Sequence, residues 1–335
     1  MLTIENKIPG IGNTPLIDLS FLASGGAQIF AKCEFMNPGM SMKDRIAQQM
    51  IKVAIKRGDL KPRGTIICAS SGNTGCSVAM IGASMGFAVI VVATSKCSEE
   101  KLAHIRAYGA KVIIAEDLEY MDVARKIADE NGYYNIDQYS NPDNPQAYYE
   151  TLGPEIWQQT QGKVTHFVMT GSTFGCITGT SRYLKERNSD IKVILADPDG
   201  SNIHKYYYQI YRKQNPALKL GEMGKFIIEG AGKSKPTSCL DCSLIDEVYK
   251  ITDQQSVDMC YRVARESGIL VGGSSGLNLH TAATLAGKLT PDNLVVTILC
   301  DNGVKYLSKI YSSEFLQANK IVVPGMEGNA LAATS

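Results

Sequence analysis

Short apolar runs alternating with helical periodicity constrain this chain more than any other feature. Residues 29–33 (Ile-Phe-Ala-Lys-Cys) read as a strand, and apolar residues at 46, 47, 50, 51, 54 and 55 give one face of a helix over 46–57. The pairing recurs. Apolar runs at 65–69, 88–92 and 111–115 precede helical patterns over about 75–85, 99–108 and 121–131. Continuous runs, rather than strict apolar–polar alternation, indicate strands buried on both faces, as in a parallel sheet clothed by helices. Repeated βαβα order is the signature of a doubly wound α/β fold.

At 335 residues the chain is long for one core, so two lobes are expected. Asn141-Pro142-Asp143-Asn144-Pro145 is turn chemistry and divides the chain into 1–145 and 146–335. The second part repeats the α/β logic. It has helices over 148–159, 178–187 and 254–267, and strands over 166–169, 191–196 and 294–299. The stretch 200–235 is irregular and tyrosine-rich (Tyr206, Tyr207, Tyr208, Tyr211), which reads as surface and subunit packing. The tail after Val323 reads as weakly ordered.

Composition excludes several classes. The 34 basic and 33 acidic residues nearly cancel, leaving no field for nucleic acid or an anionic membrane. The N-terminus lacks a signal-peptide core, and no segment approaches the roughly 18 apolar residues of a membrane span. Nine scattered cysteines, many within apolar runs, predict reduced thiols and a cytoplasmic location. Cys239-Leu240-Asp241-Cys242 is a lone CxxC with no second half, so no metal site is expected.

Lys43 stands in Asn37-Pro38-Gly39-Met40-Ser41-Met42-Lys43-Asp44-Arg45, at the start of the first helix. Unpaired amides and the positive end of the dipole disfavour an ammonium there and favour a nucleophilic neutral amine. Three loops rich in glycine and hydroxyls follow predicted strands, where open α/β sheets hold ligands. Ser70-Ser71-Gly72-Asn73-Thr74-Gly75 suits a carboxylate, and Gly171-Ser172-Thr173-Phe174-Gly175-Cys176 suits a phosphate. Gly272-Gly273-Ser274-Ser275-Gly276 is a third ligand loop or cap. A helix-start lysine with two anion cradles makes the set that pyridoxal phosphate needs.

These motifs resemble those of fold-type II pyridoxal phosphate enzymes of the cysteine synthase and cystathionine β-synthase family, whose fold is tryptophan synthase β-like. The resemblance runs from Gly12-Asn13-Thr14-Pro15-Leu16 to Asp301-Asn302-Gly303 and Tyr306-Leu307-Ser308. It implies that Lys43 is the Schiff-base lysine, that Asn73 bonds the cofactor's phenolic oxygen and that Ser274 faces its pyridine nitrogen. It further implies a substrate carboxylate held by Ser70, Ser71, Gly72, Thr74 and Gln138, with Gly230 in Glu229-Gly230-Ala231-Gly232 lining the mouth. The implied reaction is β-replacement on serine, an O-activated serine or cysteine, in a homodimer acting on small amino acids.

Two departures bear on substrate. The family's phosphate loop reads Gly-Thr-Gly-Gly-Thr, whereas Phe174 and Cys176 here replace a glycine and the last hydroxyl. The Ser172-Thr173 pair resembles the loop of siderophore-pathway enzymes that join O-phosphoserine to glutamate. Residues 141–156, with Tyr148 where many relatives have histidine, resemble instead the sulfur-transferring branch. Lys233 and Lys235 after the mouth segment are candidates to attract an anionic leaving group or a dicarboxylic second substrate.

Overall fold

The computed structural model describes residues 8–70, 72–116 and 119–325. The chain begins with β1 (Leu16–Asp18), β2 (Gln28–Cys33) and α1 (Lys43–Arg57). There follow β3 (Thr65–Ala69), α2 (Asn73–Ser84), β4 (Ala88–Thr94), α3 (Glu99–Ala107), β5 (Lys111–Ala115), α4 (Tyr120–Asn131) and β6 (Tyr134–Asn135). Next are α5 (Asp143–Glu150), α6 (Leu152–Gln159), β7 (His166–Thr170), α7 (Gly175–Arg187), β8 (Lys192–Pro198) and α8 (Ile203–Lys205). The chain closes with β9 (Glu247–Ile251), α9 (Asp253–Ser267), α10 (Gly273–Ala286), β10 (Leu294–Leu299) and α11 (Ser313–Ala318).

The smaller sheet has the order β5-β4-β3-β6 and is parallel throughout. Its apolar runs are continuous because both faces are covered. Ile66 and Cys68 face the core shared with α2, whereas Ile67 and Ala69 face Tyr120, Ala124 and Ala128 of α4. The larger sheet has the order β1-β2-β10-β7-β8-β9, parallel except for the edge strand β1. The same logic makes β10 buried along its whole length, with Val296 and Ile298 on one face and Val295 and Leu299 on the other.

The structure bears on three expectations. A boundary at 145 does not separate the sheets, because β1 and β2 pair into the larger one through β10 (Ile29 against Val295, Ala31 against Thr297). The helix expected over 148–159 is two helices, α5 and α6, that break at Thr151 (φ −123°, ψ −67°). Pro154 has no amide proton for the Glu150 carbonyl and its ring would clash there, so one helix cannot continue. The tyrosine segment is a π-helical extension of α8 over Tyr206–Tyr211, and Tyr207 is 1 % exposed with its hydroxyl donating to the Ile245 carbonyl at 2.6 Å. Tyr207 belongs to this chain's own core, whereas Tyr211 and residues 212–217 and 221–225 are exposed, as the surface reading expects. The tail beyond residue 325 lies outside the described residues.

A buried charge network fixes the start of α1. Arg45 makes paired hydrogen bonds to Glu34 (2.7 and 2.7 Å) and to Glu155 of α6 (2.7 and 2.8 Å). Lys32 contacts Glu155 at 2.6 Å, and the Thr14 hydroxyl donates to Glu34 at 2.6 Å. Burial alone would raise the Glu155 carboxyl, but Arg45 and Lys32 overcome it and hold the pKa at about 2. A depressed folded-state pKa stabilises the fold above the ordinary carboxylate value, 4.5, and that stabilisation is lost as pH falls toward 2. Urea titrations from pH 6 to pH 2.5 should therefore show stability falling below pH 4.5, with a shallower fall in Glu155→Gln. Equal slopes in the two proteins would remove Glu155 from the acid response.

Candidate active site

The C-terminal ends of β3, β7 and β10 point their following loops at one cavity, the position at which open α/β sheets bind ligands. Its walls are Met42, Lys43, Asn73, 169–174, Cys176, Gly230, Ser274 and Cys300. The fold therefore gathers Lys43, Asn73, Gly171, Ser172, Thr173, Phe174, Cys176, Ser274 and Gly230 from segments up to 231 residues apart, the separation of Lys43 and Ser274.

Lys43 is the first residue of α1, with Met42 as its cap. Burial lowers the ammonium pKa below the ordinary lysine value, and the nearby Cys176, Cys300 and Asp301 only partly offset this. The helix start and the desolvated site act in the same direction, toward the free amine. The backbone here is pinned from two sides. Met42 donates its amide to the Cys300 carbonyl at 2.9 Å and accepts the Tyr148 hydroxyl at 3.2 Å. Tyr148, fully buried on α5, is thus a support for the lysine.

The substrate-loop residues form a connected cluster beside Asn73. The Ser70 Oγ accepts the amides of Gly72 (3.2 Å) and Gly75 (3.0 Å), which leaves its hydroxyl proton free to donate. The Thr74 hydroxyl donates to Gln138 Oε1 at 2.6 Å, and Gln138 Nε2 donates to the Ala69 carbonyl at 2.9 Å. Gln138 is therefore a strut between the end of β3 and Thr74. Ser71 lies outside the described residues.

The 171–176 loop runs from β7 into α7, whose first amides precede the first i→i−4 bond (Thr178 to Phe174) and are free of helical partners. The Thr170 hydroxyl is buried in the cavity wall with no hydrogen-bond partner. Gly175 packs so closely on Asn144 that a Cβ would lie 2.0 Å from its Oδ1, so the turn accepts no side chain there. Phe174 has φ +64°, the left-handed conformation that explains the family's glycine. Its ring is nonetheless 1 % exposed and fills the space over Gly171, where a Cβ would meet it at 2.6 Å. Phe174→Ala keeps the strain and loses the packing, so it should be less stable than Phe174→Gly by about 1 kcal/mol, the reverse of the usual order. Both should lie roughly 3 kcal/mol below the parent. Thermal melts of the three proteins check this, and Ala at or above Gly would sink it.

Burial pushes the Cys300 and Cys239 thiols up to about 12 and Cys176 higher still, so all three stay protonated beside Lys43 at neutral pH. Cys239 of the CxxC donates to the Tyr139 carbonyl at 3.4 Å. Lys233 stacks its ammonium 4.0 Å from the Tyr139 ring centroid, and burial lowers its pKa to about 8, whereas Lys235 is exposed. Glu229 of the mouth segment pairs with the buried Lys101 at 2.7 Å. Asp301 falls within the matched Asp301-Asn302-Gly303 segment without a role, Lys305 and Lys101 carry no local motif, and only the assembled fold sets Asp301 and Lys305 on Asn73 and Lys101 beside Gly72.

These residues fit pyridoxal phosphate. The loop offers free amides and an unpartnered buried hydroxyl, and a desolvated amine and an amide donor stand on the opposite wall. Known proteins agree. The model of the pyridoxal-phosphate dependent enzyme family matches residues 7–301. Cysteine synthase 2 of Schizosaccharomyces pombe is 37% identical, over 95% of this chain and 87% of its own. Cysteine synthase B of Escherichia coli is 38% identical, over 92% and 95%. The crystal structure of O-acetylserine dependent cystathionine beta-synthase from Helicobacter pylori superposes with a TM-score of 0.81 at 34% identity, over 90% of this chain and 97% of that one. By the matched span and these relatives, the chain belongs to the pyridoxal-phosphate dependent enzyme family, in the branch of the cysteine and cystathionine β-synthases.

Proposed function

We propose that this enzyme catalyses β-replacement on serine, an O-activated serine or cysteine, with a sulfur nucleophile as the incoming group. The observation that carries the reading is the single cavity in which Lys43 faces Asn73, the 171–176 loop and Ser274. Bound there, pyridoxal phosphate supplies a conjugated ring that takes up the electron pair of the substrate's Cα–H bond. The amides and hydroxyls of Ser172 and Thr173 and the unpartnered Thr170 hydroxyl would hold its phosphate, and Lys43 Nζ would hold its carbonyl carbon. Ser70, Ser71, Gly72 and Thr74 hold the substrate carboxylate, with Gln138 bracing Thr74. Lys43 Nζ, once free, takes the α-proton, a task suited to an amine with a lowered pKa. Ser274, a hydroxyl rather than an acid, leaves the ring nitrogen unprotonated and the electron sink mild, which suits loss of a β-substituent. Protonated Cys176 and Cys300 add no competing thiolate.

The reading extends to a cytoplasmic homodimer. All nine cysteines are free and buried, which suits a reducing compartment. Among the described residues no helix is long and apolar enough to cross a membrane. Sedimentation of the purified protein tests the dimer. One observation favours a second nucleophile: the Ser172-Thr173-Phe174 wall departs from the glycine-rich form, in the manner of enzymes that use glutamate as an amine. The deciding experiment adds O-acetylserine, O-phosphoserine, serine and cysteine separately to the yellow protein, then offers sulfide, homocysteine or glutamate. A spectral change with one donor and product with one nucleophile assign the reaction. A protein that shows no visible band even with added pyridoxal phosphate would overturn the reading.

A further inference from the structure

Asn73 is held by two oppositely charged side chains. Its Nδ2 donates to Asp301 Oδ2 at 2.6 Å, and its Oδ1 accepts from Lys305 Nζ at 3.0 Å. The chemistry of the partners assigns the amide. A carboxylate only accepts and an ammonium only donates, so the nitrogen must face Asp301 and the oxygen Lys305. A flipped amide would set its carbonyl against a carboxylate and its N–H groups against an ammonium, exchanging two charge-assisted hydrogen bonds for two repulsions. One N–H of Nδ2 is taken by Asp301, the Tyr306 hydroxyl lies within reach of the same amide, and Asn73 lines the cavity.

Both partners are themselves fixed. Asp301 is fully buried and stands two residues after the end of β10. Its Oδ2 also accepts the Tyr306 hydroxyl, and its backbone bridges Ser41, two residues before Lys43. Gly272, two residues before Ser274, lies so close that a Cβ would sit 2.1 Å from Asp301 Oδ1. Lys305, 2 % exposed, also donates to the Gly39 carbonyl at 2.7 Å. Asp301 thus touches the segments bearing Lys43, Asn73 and Ser274.

We propose that Asp301 and Lys305 are positioning residues that lock Asn73 as a donor toward the cofactor's phenolic oxygen and set the electrostatic environment of that oxygen. The inference rests on the pyridoxal phosphate reading and adds two residues to it. The titratable groups around the amide are Lys43 and Asp44 from α1, Cys76 from α2, Lys101 (paired with Glu229) from α3, and Asp301, Lys305 and Tyr306 from the segment after β10, with burial holding the Tyr306 hydroxyl well above its ordinary pKa. Burial lowers the Lys305 pKa, with Cys76, Asp301 and Asp44 acting against it, yet the orientation survives a neutral Lys305 because Asp301 alone assigns Nδ2.

The test uses holoprotein carrying Lys305→Met, Lys305→Arg and Asp301→Asn. Read-outs are the pH titration of the cofactor's absorption bands and the dissociation constant of pyridoxal phosphate from fluorescence reconstitution. With the cation gone, the phenolate form is less favoured. Lys305→Met should move intensity to the shorter-wavelength band, raise the titration midpoint by about one unit and weaken cofactor binding about tenfold. Lys305→Arg should restore most of both. Asp301→Asn, whose amide can turn either way, should broaden the band pair and weaken binding. Melting curves identify a variant that fails to fold, in which case the remaining partner's variant decides. Folded Lys305→Met and Asp301→Asn proteins with parental spectra, midpoints and binding would overturn the inference while leaving the enzyme reading intact. A parent protein without a visible band would overturn that reading instead.

Discussion

The Lys43→Ala protein is expected to lose turnover by roughly a thousandfold or more, the scale of a lost general base, and to lose the covalent attachment of its cofactor. Lys43 is assigned two tasks, and the variant separates them. The 171–176 loop and Asn73 are untouched, so pyridoxal phosphate should still bind, but free to dialyse away. The spectrum should lack the protonated Schiff-base band, and borohydride should fix no cofactor to the chain. Steady-state rates with the best donor give the second answer. A variant turning over at near the parental rate would remove Lys43 from the mechanism and require another amine at the cavity.

The largest expected effect on stability is at Arg45, two residues along the same helix. Glu34 is fully buried and Arg45 is 3 % exposed. Replacing Arg45 by Met keeps the bulk of the side chain but leaves the Glu34 carboxylate buried with its ring of donors halved. Glu155 keeps Lys32 at 2.6 Å and suffers less. Breaking one side of a buried pair costs about 3–5 kcal/mol, because the remaining charge is neither solvated nor paired. The melting temperature should fall by roughly 5 °C. The double variant Arg45→Met with Glu34→Leu should recover part of the loss, since removing both charges also removes the desolvation penalty. A single variant within a degree or two of the parent would show that the network contributes little.

The parts of this molecule legible from the sequence are those whose physics is local. Apolar runs and helical periodicity marked most of the central strands and helices, because burial on both faces leaves its trace in consecutive residues. The lysine at the start of α1 and the three loops were legible because glycines, hydroxyls and a helix start stand side by side in the chain. Pairing partners leave no such trace. Nothing in residues 28–33 states that they lie against 294–299, so the larger sheet's membership was out of reach. Arg45 and Glu155 are 110 residues apart, and Asn73 and Asp301 are 228. Nothing in the neighbourhood of any of these residues names its partner, and only folding turns the pairs into hydrogen bonds. Pro154 is a different case. Its effect on the 148–159 helix follows from its own sequence position, and the break at Thr151 is where its missing amide requires one.

The pairing of β2 with β10 has a consequence for how the chain is made. The smaller sheet is built from residues 65–135 alone, so it can be complete early in synthesis. The larger sheet cannot. Its central strand, Leu294–Leu299, is made about 260 residues after β2, and until then β2 has no parallel neighbour. At ordinary rates of translation that wait is on the order of 10–50 s. An apolar hairpin therefore stays unpaired for many seconds beside a finished smaller sheet, and it is this N-terminal segment that a chaperone acting on the nascent chain would have to shield.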